Sequence, residues 1–494
     1  MAYPDGSAVQ WMQYSQKAFD KAKVELKPVF LVISAPWCHW CREYEQSTLE
    51  SEEISRNLNR HLVPVFVDGE RRPDVARRYF SGGTPTTVIF DFAGEELMRF
   101  SGHLNKNSLM AVLERAASGK IERRRPEKPL DERRPQKWGS EAAGKFLAEF
   151  DSHLVFIYDE LYGGFGKGEK FPFTYVLDYL AVQHMLKGKK IWRNIVEKSL
   201  SGISRLQDGV EGGFFRYADS REWEGPHYEK TLSGNSAIAD VFLKAGKVLG
   251  NPEYSKIGKS GLEWMETHLQ DGSSGGFFGS QAADSHYFQA TADARKRLAP
   301  PNIDRTKYTD SNAQAILAFL HSYKLQSDLG HWEVADRALD FMLKGLVGDG
   351  GVMHCFDGKE GPYLDGQMLD NAWAAIALLE AYRIGKQEAH LEAGVRLVEN
   401  MIACFFNPEK KSFIERAGRS LGDYRTGEER SERILYKENA FACWALIAAF
   451  IVTKNKKYAT LCMDTAANFL YVNDDLDSSA IFAQIASNLS GGPT

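Results

Sequence analysis

The stretch Val29–Tyr44, VFLVISAPWCHWCREY, sets an apolar run against two cysteines three positions apart, each directly after a tryptophan. VFLVIS is short, uninterrupted and rich in β-branched residues, and so reads as a buried strand. From about Cys38 the segment CHWCREYEQSTLES turns charged and helical. A strand that becomes a helix at the first cysteine places Cys38 at the helix N-terminus. There the unpaired N–H groups and the helix dipole favour a thiolate. Cys41 falls one turn later and is shielded. This is the arrangement thiol–disulfide exchange requires, an exposed nucleophile with a resolving thiol in bonding reach. Two other readings compete. A zinc site needs a second ligand pair at a plausible spacing, but Cys355, Cys404, Cys443 and Cys462 are lone and distant, and His61 and His103 are scattered. Two inert buried thiols are the plainer alternative.

Downstream, HLVPVFVDG (61–69) reads as a second strand, and GGTPTTVIFDFAGEEL (82–97) as a turn, a third strand and a hairpin leading into MRFSGH. This order, with WCHWC after the first strand and GTPT before the third, resembles the thioredoxin fold over about the first 117 residues. The resemblance implies a cis proline at Pro85 beside the cysteine pair, with Thr84, Pro85 and Trp37 flanking a substrate groove. It also implies a buried acid on the strand six positions before the first cysteine. Here that position is Val32, with Asp68 and Glu70 at another strand end as candidate substitutes.

At 494 residues the chain is too long for one ordinary core. A net charge of −5 argues against a dedicated nucleic-acid binder. The longest apolar run, AFACWALIAAFIV (440–452), is 13 residues, too short to span a bilayer. MAYPDGSAVQWMQYSQ shows no basic region followed by an apolar run, so no signal peptide is expected. Six cysteines in a chain of this length are not a disulfide framework, and a cytoplasmic setting is expected. Neither a cofactor nor a metal is expected.

Lys120–Lys137, KIERRRPEKPLDERRPQK, holds three prolines, eight basic and four acidic residues, and reads as an extended linker. From Gly139 helical periodicity dominates, with about twelve helices whose connections alternate between short and long. Such alternation gathers every long loop at one end of a stack of helical hairpins. GGF recurs at Gly163, Gly212 and Gly275, with GGV at Gly350 as a degenerate copy. The even helices share a start at Asn235, Asn312, Asn371 and Asn439, where a capping asparagine is expected. DNAWAAIALLEAY is apolar all round, whereas HLEAGVRLVENMI keeps a polar face, so even helices are inner and odd helices outer. The pattern describes an (α/α)6 toroid. The expected fold is therefore multidomain, α/β followed by all-α: a thioredoxin-like domain (1–117), a linker (118–138) and the toroid (139–494).

The toroid resembles the six-hairpin fold of sugar 2-epimerases and many glycoside hydrolases. WCHWC, GERRPDV (69–75), GGFGKGEKFP (163–172) and PHYEKTLSGNSA (226–237) together resemble the spermatogenesis-associated protein 20-like family, in which GWP stands where this chain has GTP.

Sugar chemistry at the long-loop mouth calls for aromatic platforms and for carboxylates or histidines that move protons. Candidate ligand-binding residues are Tyr217, Trp223, His227 and Glu229 in one loop, Asp284 and His286 in the next, and His354 in a third. Asp310, Asp370 and Glu438 lie at inner-helix starts, where helix-dipole stabilisation also accounts for them. Cys355 adjoins His354. Three functions follow. One is a thiol–disulfide oxidoreductase using Cys38 and Cys41 on an oxidised protein or small-molecule disulfide, with a toroid that takes a carbohydrate or other polar ligand. The second is a sugar-active enzyme with an accessory thioredoxin-like module. The third is a non-catalytic binding or scaffold protein. Nucleic acid and membrane are not expected partners.

Overall fold

The apolar run at Val29–Ser34 becomes the middle strand of a five-stranded sheet, and all six of its residues are buried. The structure is a computed structural model that describes residues 6–121, 137–359, 361–417 and 432–489. Most of the expected linker, residues 122–136, lies outside the described residues. The chain divides into two compact units, with the described residues up to 121 in the first and those from 137 to 417 and 432 to 489 in the second.

In the first unit the elements run β1 (Met12–Gln13), α1 (Gln16–Glu25), β2 (Val29–Ser34), α2 (His39–Tyr44), α3 (Glu52–His61), β3 (Val63–Asp68), α4 (Pro73–Arg78), β4 (Thr86–Phe90), β5 (Glu96–Ser101) and α5 (Lys106–Ala117). The sheet order is β1-β3-β2-β4-β5. β2 lies parallel to β3, with Ser34 opposite Asp68, and antiparallel to β4, with Ile33 opposite Thr86. Two apolar clusters cover the two faces. Phe30, Val32 and Ile89 point to one, and Val29, Leu31 and Val88 to the other. A strand buried on both faces has no polar alternation, which is why VFLVIS is continuous. This is the expected thioredoxin-like sheet.

The second unit contains twelve helices of 11 or more described residues. The outer helices are α6 (Ser140–Ile157), α8 (Lys190–Ile203), α10 (Pro252–His268), α14 (Leu329–Phe341), α16 (Glu388–Phe405) and α18 (Lys456–Ala466). The inner helices are α7 (Thr174–Lys187), α9 (Leu232–Leu249), α13 (Thr309–Gln326), α15 (Met368–Gly385), α17 (Tyr436–Thr453) and α19 (Leu476–Leu489). Two one-turn helices, α11 (Ser285–Phe288) and α12 (Ala292–Arg295), sit in the loop before α13. Each inner helix packs on the next, and α19 packs back on α7, closing the ring. Asp477 in the first turn of α19 accepts the N–H groups of Tyr175 and Val176 at 2.9 and 3.2 Å, so the last inner helix supplies donors' partners for the first. The all-α toroid of the sequence reading is thus the observed architecture.

Each inner-to-outer connection between α7 and α18 is two residues. Its first member is left-handed: Gly188, Gly250, Ser327, Lys386 and Lys454, with φ from 58 to 68°. This is the helix C-terminal stop that lets the chain reverse at once.

The opposite end is built differently from the expectation. The asparagines are not caps. Asn235, Asn312 and Asn439 lie inside the first turn and reach out to the long loops. Asn235 Oδ1 accepts the Phe214 N–H at 2.6 Å while its Nδ2 donates to the Phe214 carbonyl at 3.0 Å. Asn312 does the same for Phe277 at 2.7 and 3.0 Å, and Asn439 for Phe413 at 2.7 and 3.0 Å. Phe413 therefore marks a loop copy that the GGF pattern missed. A carboxamide carries a donor and an acceptor side by side, so it can pair both backbone groups of a buried residue without a charge.

A second clasp uses charge. Asp159, Asp208 and Asp271 each stand six residues before the loop phenylalanine, and each binds a buried lysine: Lys170 at 2.9 Å, Lys230 at 2.8 Å and Lys307 at 2.7 Å. The same ammonium groups donate to the carbonyls of Gly166, Gly212 and Gly275. Burial among Phe215, Trp264 and Phe288 pushes Lys230 down to about 8 against the pull of Asp208. The glycine pair is required because the loop presses on the adjacent outer helix. At Gly213 (φ 70°) a Cβ would stand 2.5 Å from the Trp264 ring.

Candidate functional site

The β2 strand ends at Ser34, and the chain turns through Ala35–Trp37 into α2 with Cys38 as its N-cap. Cys38 is extended (φ −76°, ψ 118°), and its Sγ accepts the N–H of Cys41 at 3.1 Å. The two cysteines are joined as a disulfide with Cα atoms 5.3 Å apart. Cys38 was expected to be exposed. It is 3 % exposed, recessed beside Ala35 and Trp37, and Cys41 is fully buried. Cys38 keeps a small accessible area and Cys41 none, which still distinguishes the two residues. Its Sγ lies 3.8 Å from the Thr84 carbonyl oxygen, and the Thr84–Pro85 peptide is cis. Gly102 N–H donates to Pro85 O at 2.8 Å, which ties the end of β5 to the same edge.

Sequence reasoning missed two features here. Trp40, 44 % exposed, lies flat on His103 at 5.2 Å and 12° and meets His39 edge-on, forming an aromatic rim. Glu45, four residues past Cys41, hydrogen-bonds Ser34 Oγ at 2.8 Å. Burial holds its carboxyl above the usual range, partly offset by that bond. Asp68, considered as the substitute acid, accepts the N–H groups of Glu70 and Arg71 and pairs with Arg71 at 3.5 Å in its own turn. The i, i+4 spacing of Cys41 and Glu45 was the available signal.

The toroid candidates are placed as follows. Tyr217 is sandwiched between Phe171 at 4.4 Å and His227 at 3.9 Å, and burial pushes its phenol up to about 12. His227 Nε2 meets Asp219 at 2.5 Å, and its Nδ1 lies 3.9 Å from buried Glu229, which also pairs with Arg216. Trp223 is a packing residue: 2 % exposed, φ 65°, with its indole N–H on the Tyr162 carbonyl. Asp284 caps α11 through Tyr287 N–H, and His286 is exposed. Asp310 accepts the Ser311 N–H at 2.7 Å. One pair of candidates from separate segments is brought into direct contact. His354 Nδ1 and Asp370 Oδ2 are 2.8 Å apart and both buried. Cys355 beside them is fully buried, and Glu438 is buried in the first turn of α17.

The floor beneath the loops is aromatic. Tyr175 of α7 and Trp373 of α15 come from opposite members of the ring, and their rings stand 6.5 Å apart, with Phe441 and Trp444 of α17 beside them. Further along the inner helices sits a polar cluster absent from the loop-based reading. His321 of α13 bonds Asp240 of α9 at 2.8 Å and faces Glu380 of α15 at 3.5 Å. Lys244 joins Asp240 at 2.9 Å and Asp178 of α7 at 3.6 Å. Burial alone would lower the His321 imidazole, but Asp240 and Glu380 more than reverse this and raise it. Among the described residues, no His/Cys/Asp/Glu group has metal-holding geometry and no helix is long and apolar enough to cross a membrane.

Comparison with known proteins places these features. Residues 4–90 match the family model Thioredox_DsbH, described as a protein of unknown function, DUF255. Mouse spermatogenesis-associated protein 20 is 30% identical over 316 residues, covering 56% of this chain and 39% of that protein. The human protein is 29% identical over the same shares. The chain thus spans about two fifths of the length of these relatives. Thiol:disulfide interchange protein DsbD of Cronobacter sakazakii is 35% identical over 79 residues, 15% of this chain and 14% of DsbD. Among solved structures, a sugar epimerase from a ruminal bacterium superposes with a TM-score of 0.57 at 12% identity, covering 71% of this chain and 98% of that one. Cellobiose 2-epimerase from Spirochaeta thermophila gives 0.53 at 13%, covering 66% and 82%. A Bacteroides thetaiotaomicron family 76 glycoside hydrolase gives 0.53 at 10%, covering 82% and 83%. The chain therefore carries a thioredoxin-like N-terminal domain, is similar in sequence to spermatogenesis-associated protein 20, and shares the toroid fold of sugar epimerases and family 76 glycoside hydrolases.

Proposed function

We propose that this protein carries out thiol–disulfide exchange, with Cys38 as the attacking thiolate and Cys41 as the resolving thiol. The observation that carries this reading is the N-cap geometry. The Cys41 N–H points at Cys38 Sγ at 3.1 Å, so a negative charge on that sulfur has a donor in place before reaction. Cys41 is fully buried, so a substrate disulfide meets Cys38 first. Trp37, Thr84 and Pro85 form the edge the substrate would approach, and an oxidised protein or small-molecule disulfide is the partner. The matched family model and the similarity to DsbD support the same reading. The test is alkylation of the reduced protein across pH with mass-spectrometric site assignment. Cys38 should react first and below about pH 8, the ordinary thiol range. Cys41 reacting first, or neither reacting there, removes the reading.

A second reading concerns the toroid. The buried His354–Asp370 pair orients an imidazole by its Nδ1, an arrangement suited to a proton-transfer histidine. We take the toroid to bind a carbohydrate or similar polar ligand, in line with the fold it shares with sugar epimerases and glycoside hydrolases. Calorimetric titration with a panel of hexoses and disaccharides tests it. Binding lost in His354→Asn supports the assignment, and no heat with any sugar removes it.

A further inference from the structure

We propose that the short-connection end of the toroid docks on an anionic bilayer surface through two neighbouring hairpin tips, α7–α8 and α17–α18. The first tip reads MLKGKKI (185–191) and the second IVTKNKK (451–457). Together they carry six lysines and no acid, in a chain whose net charge is −5. The last inner helix, α19, packs on both α17 and α7. The tips therefore stand two helix spacings apart, roughly 20 Å.

Three observations point to a ligand rather than to the fold. First, helix stability does not call for these charges. A lysine at the end of an inner helix complements the helix dipole, but Lys190 opens α8 and Lys456 and Lys457 open α18, where the dipole disfavours a cation. Neither helix has an acid in its first turn, whereas α10 and α16 carry Glu253 and Glu388 there. Second, the first tip lacks counter-ions. Lys187, Lys189 and Lys190 are exposed, and among the described residues no carboxylate lies in ion-pair reach of them. In the second tip Lys457 pairs with Glu399 at 2.7 Å, while Lys454 and Lys456 are exposed. Third, bulky aliphatic side chains stand out among the lysines. Met185 and Leu186 are each 60 % exposed, and Ile191 and Ile451 are exposed as well. Single exposed apolar residues are ordinary, but these are grouped at one end and interleaved with cations. The combination selects the partner. Lysine is a compact charge drawn to anionic headgroups, and aliphatic side chains enter the headgroup region. A nucleic-acid surface calls instead for arginine and for aromatic rings that stack on bases, and neither tip contains an arginine or an aromatic residue. The sequence expectation of no membrane partner rested on the length needed to span a bilayer, which docking on its surface does not require.

The experiment is co-sedimentation of the full chain with phosphatidylcholine vesicles that contain about 30 mol% phosphatidylglycerol. The parent should sediment with these vesicles and not with pure phosphatidylcholine, and about 0.5 M NaCl should release it by screening. Lys187→Glu, Lys189→Glu and Lys190→Glu combined should weaken binding by about 100-fold. Met185→Ser with Leu186→Ser should weaken it while keeping the salt dependence. Lys296→Glu, exposed in a long loop at the other end, should bind as the parent does. All the altered side chains are exposed, and circular dichroism checks that the variants keep the fold. No sedimentation of the parent with the anionic vesicles overturns the proposal, and so does equal sedimentation with pure phosphatidylcholine. A triple-lysine variant that binds like the parent also overturns it. Tighter retention of the parent on an oligonucleotide than on the anionic vesicles, lost in the same variant, gives the patch to nucleic acid and overturns the lipid assignment.

Discussion

The cysteine site and the toroid loops both join an extended segment to a helix N-terminus, yet they use polar residues in opposite ways. At Cys38 a single backbone N–H is aimed at a reactive atom, in a residue that is almost wholly buried. In the toroid the conspicuous charges are turned inward. Lys170, Lys230 and Lys307 are buried and bound to aspartates and loop carbonyls. A motif that repeats with the architecture holds the architecture, because every hairpin needs the same joint. A motif that occurs once, such as WCHWC, is free of that requirement and is the better guide to chemistry.

The sharpest way to break this comparison is at the cysteines. Cys38→Ser should abolish exchange, a loss of at least about 100-fold for removal of a nucleophile, whereas Cys41→Ser should still attack and then accumulate a mixed disulfide visible by intact mass. Neither should lower toroid stability, as followed by denaturant unfolding. The next largest effect falls on the other side. Asp208→Asn strips the carboxylate from Lys230 and Arg295, which it binds at 2.8 and 2.7 Å. Leaving the buried Lys230 ammonium without its carboxylate, while Arg295 keeps Glu211 at 3.4 Å, should cost about 3–5 kcal/mol in urea unfolding, with the alkylation rate of Cys38 unchanged. Asn312→Ala is milder. It orphans the Phe277 N–H and carbonyl in the core, for about 2 kcal/mol by the same measurement.

The smallest effect is one of pH. The His321 imidazole is raised in the folded chain by Asp240 and Glu380 against its burial. A raised folded value means the protonated form is favoured by folding. The stabilisation is therefore complete below the unfolded histidine value, about 6.5, and is lost as pH rises through the higher folded value. His321→Gln should flatten the melting temperature across that window. A wild-type profile already flat there would mean that the imidazole does not bind protons more tightly in the folded chain.

VFLVISAPWCHWC was sufficient to place Cys38 at a strand-to-helix junction, because the strand's burial, the turn and the helix are all local. The alternation of two-residue and long connections, with apolar even helices, was sufficient for the toroid, because hairpin geometry depends on loop length more than on any side chain. Asn235, Asn312 and Asn439 were legible as a repeat but not in role. An asparagine at a helix start reads as a cap, and only the folded chain brings Phe214, Phe277 and Phe413 to its carboxamide. The long-range pairs were likewise invisible. His354 and Asp370 are 16 residues apart, and His321 and Asp240 are 81 apart. Which side chains meet depends on how the loops seat on the inner helices and on how those helices rotate about their axes. That rotation is set by packing around the closed ring, a property no single segment carries.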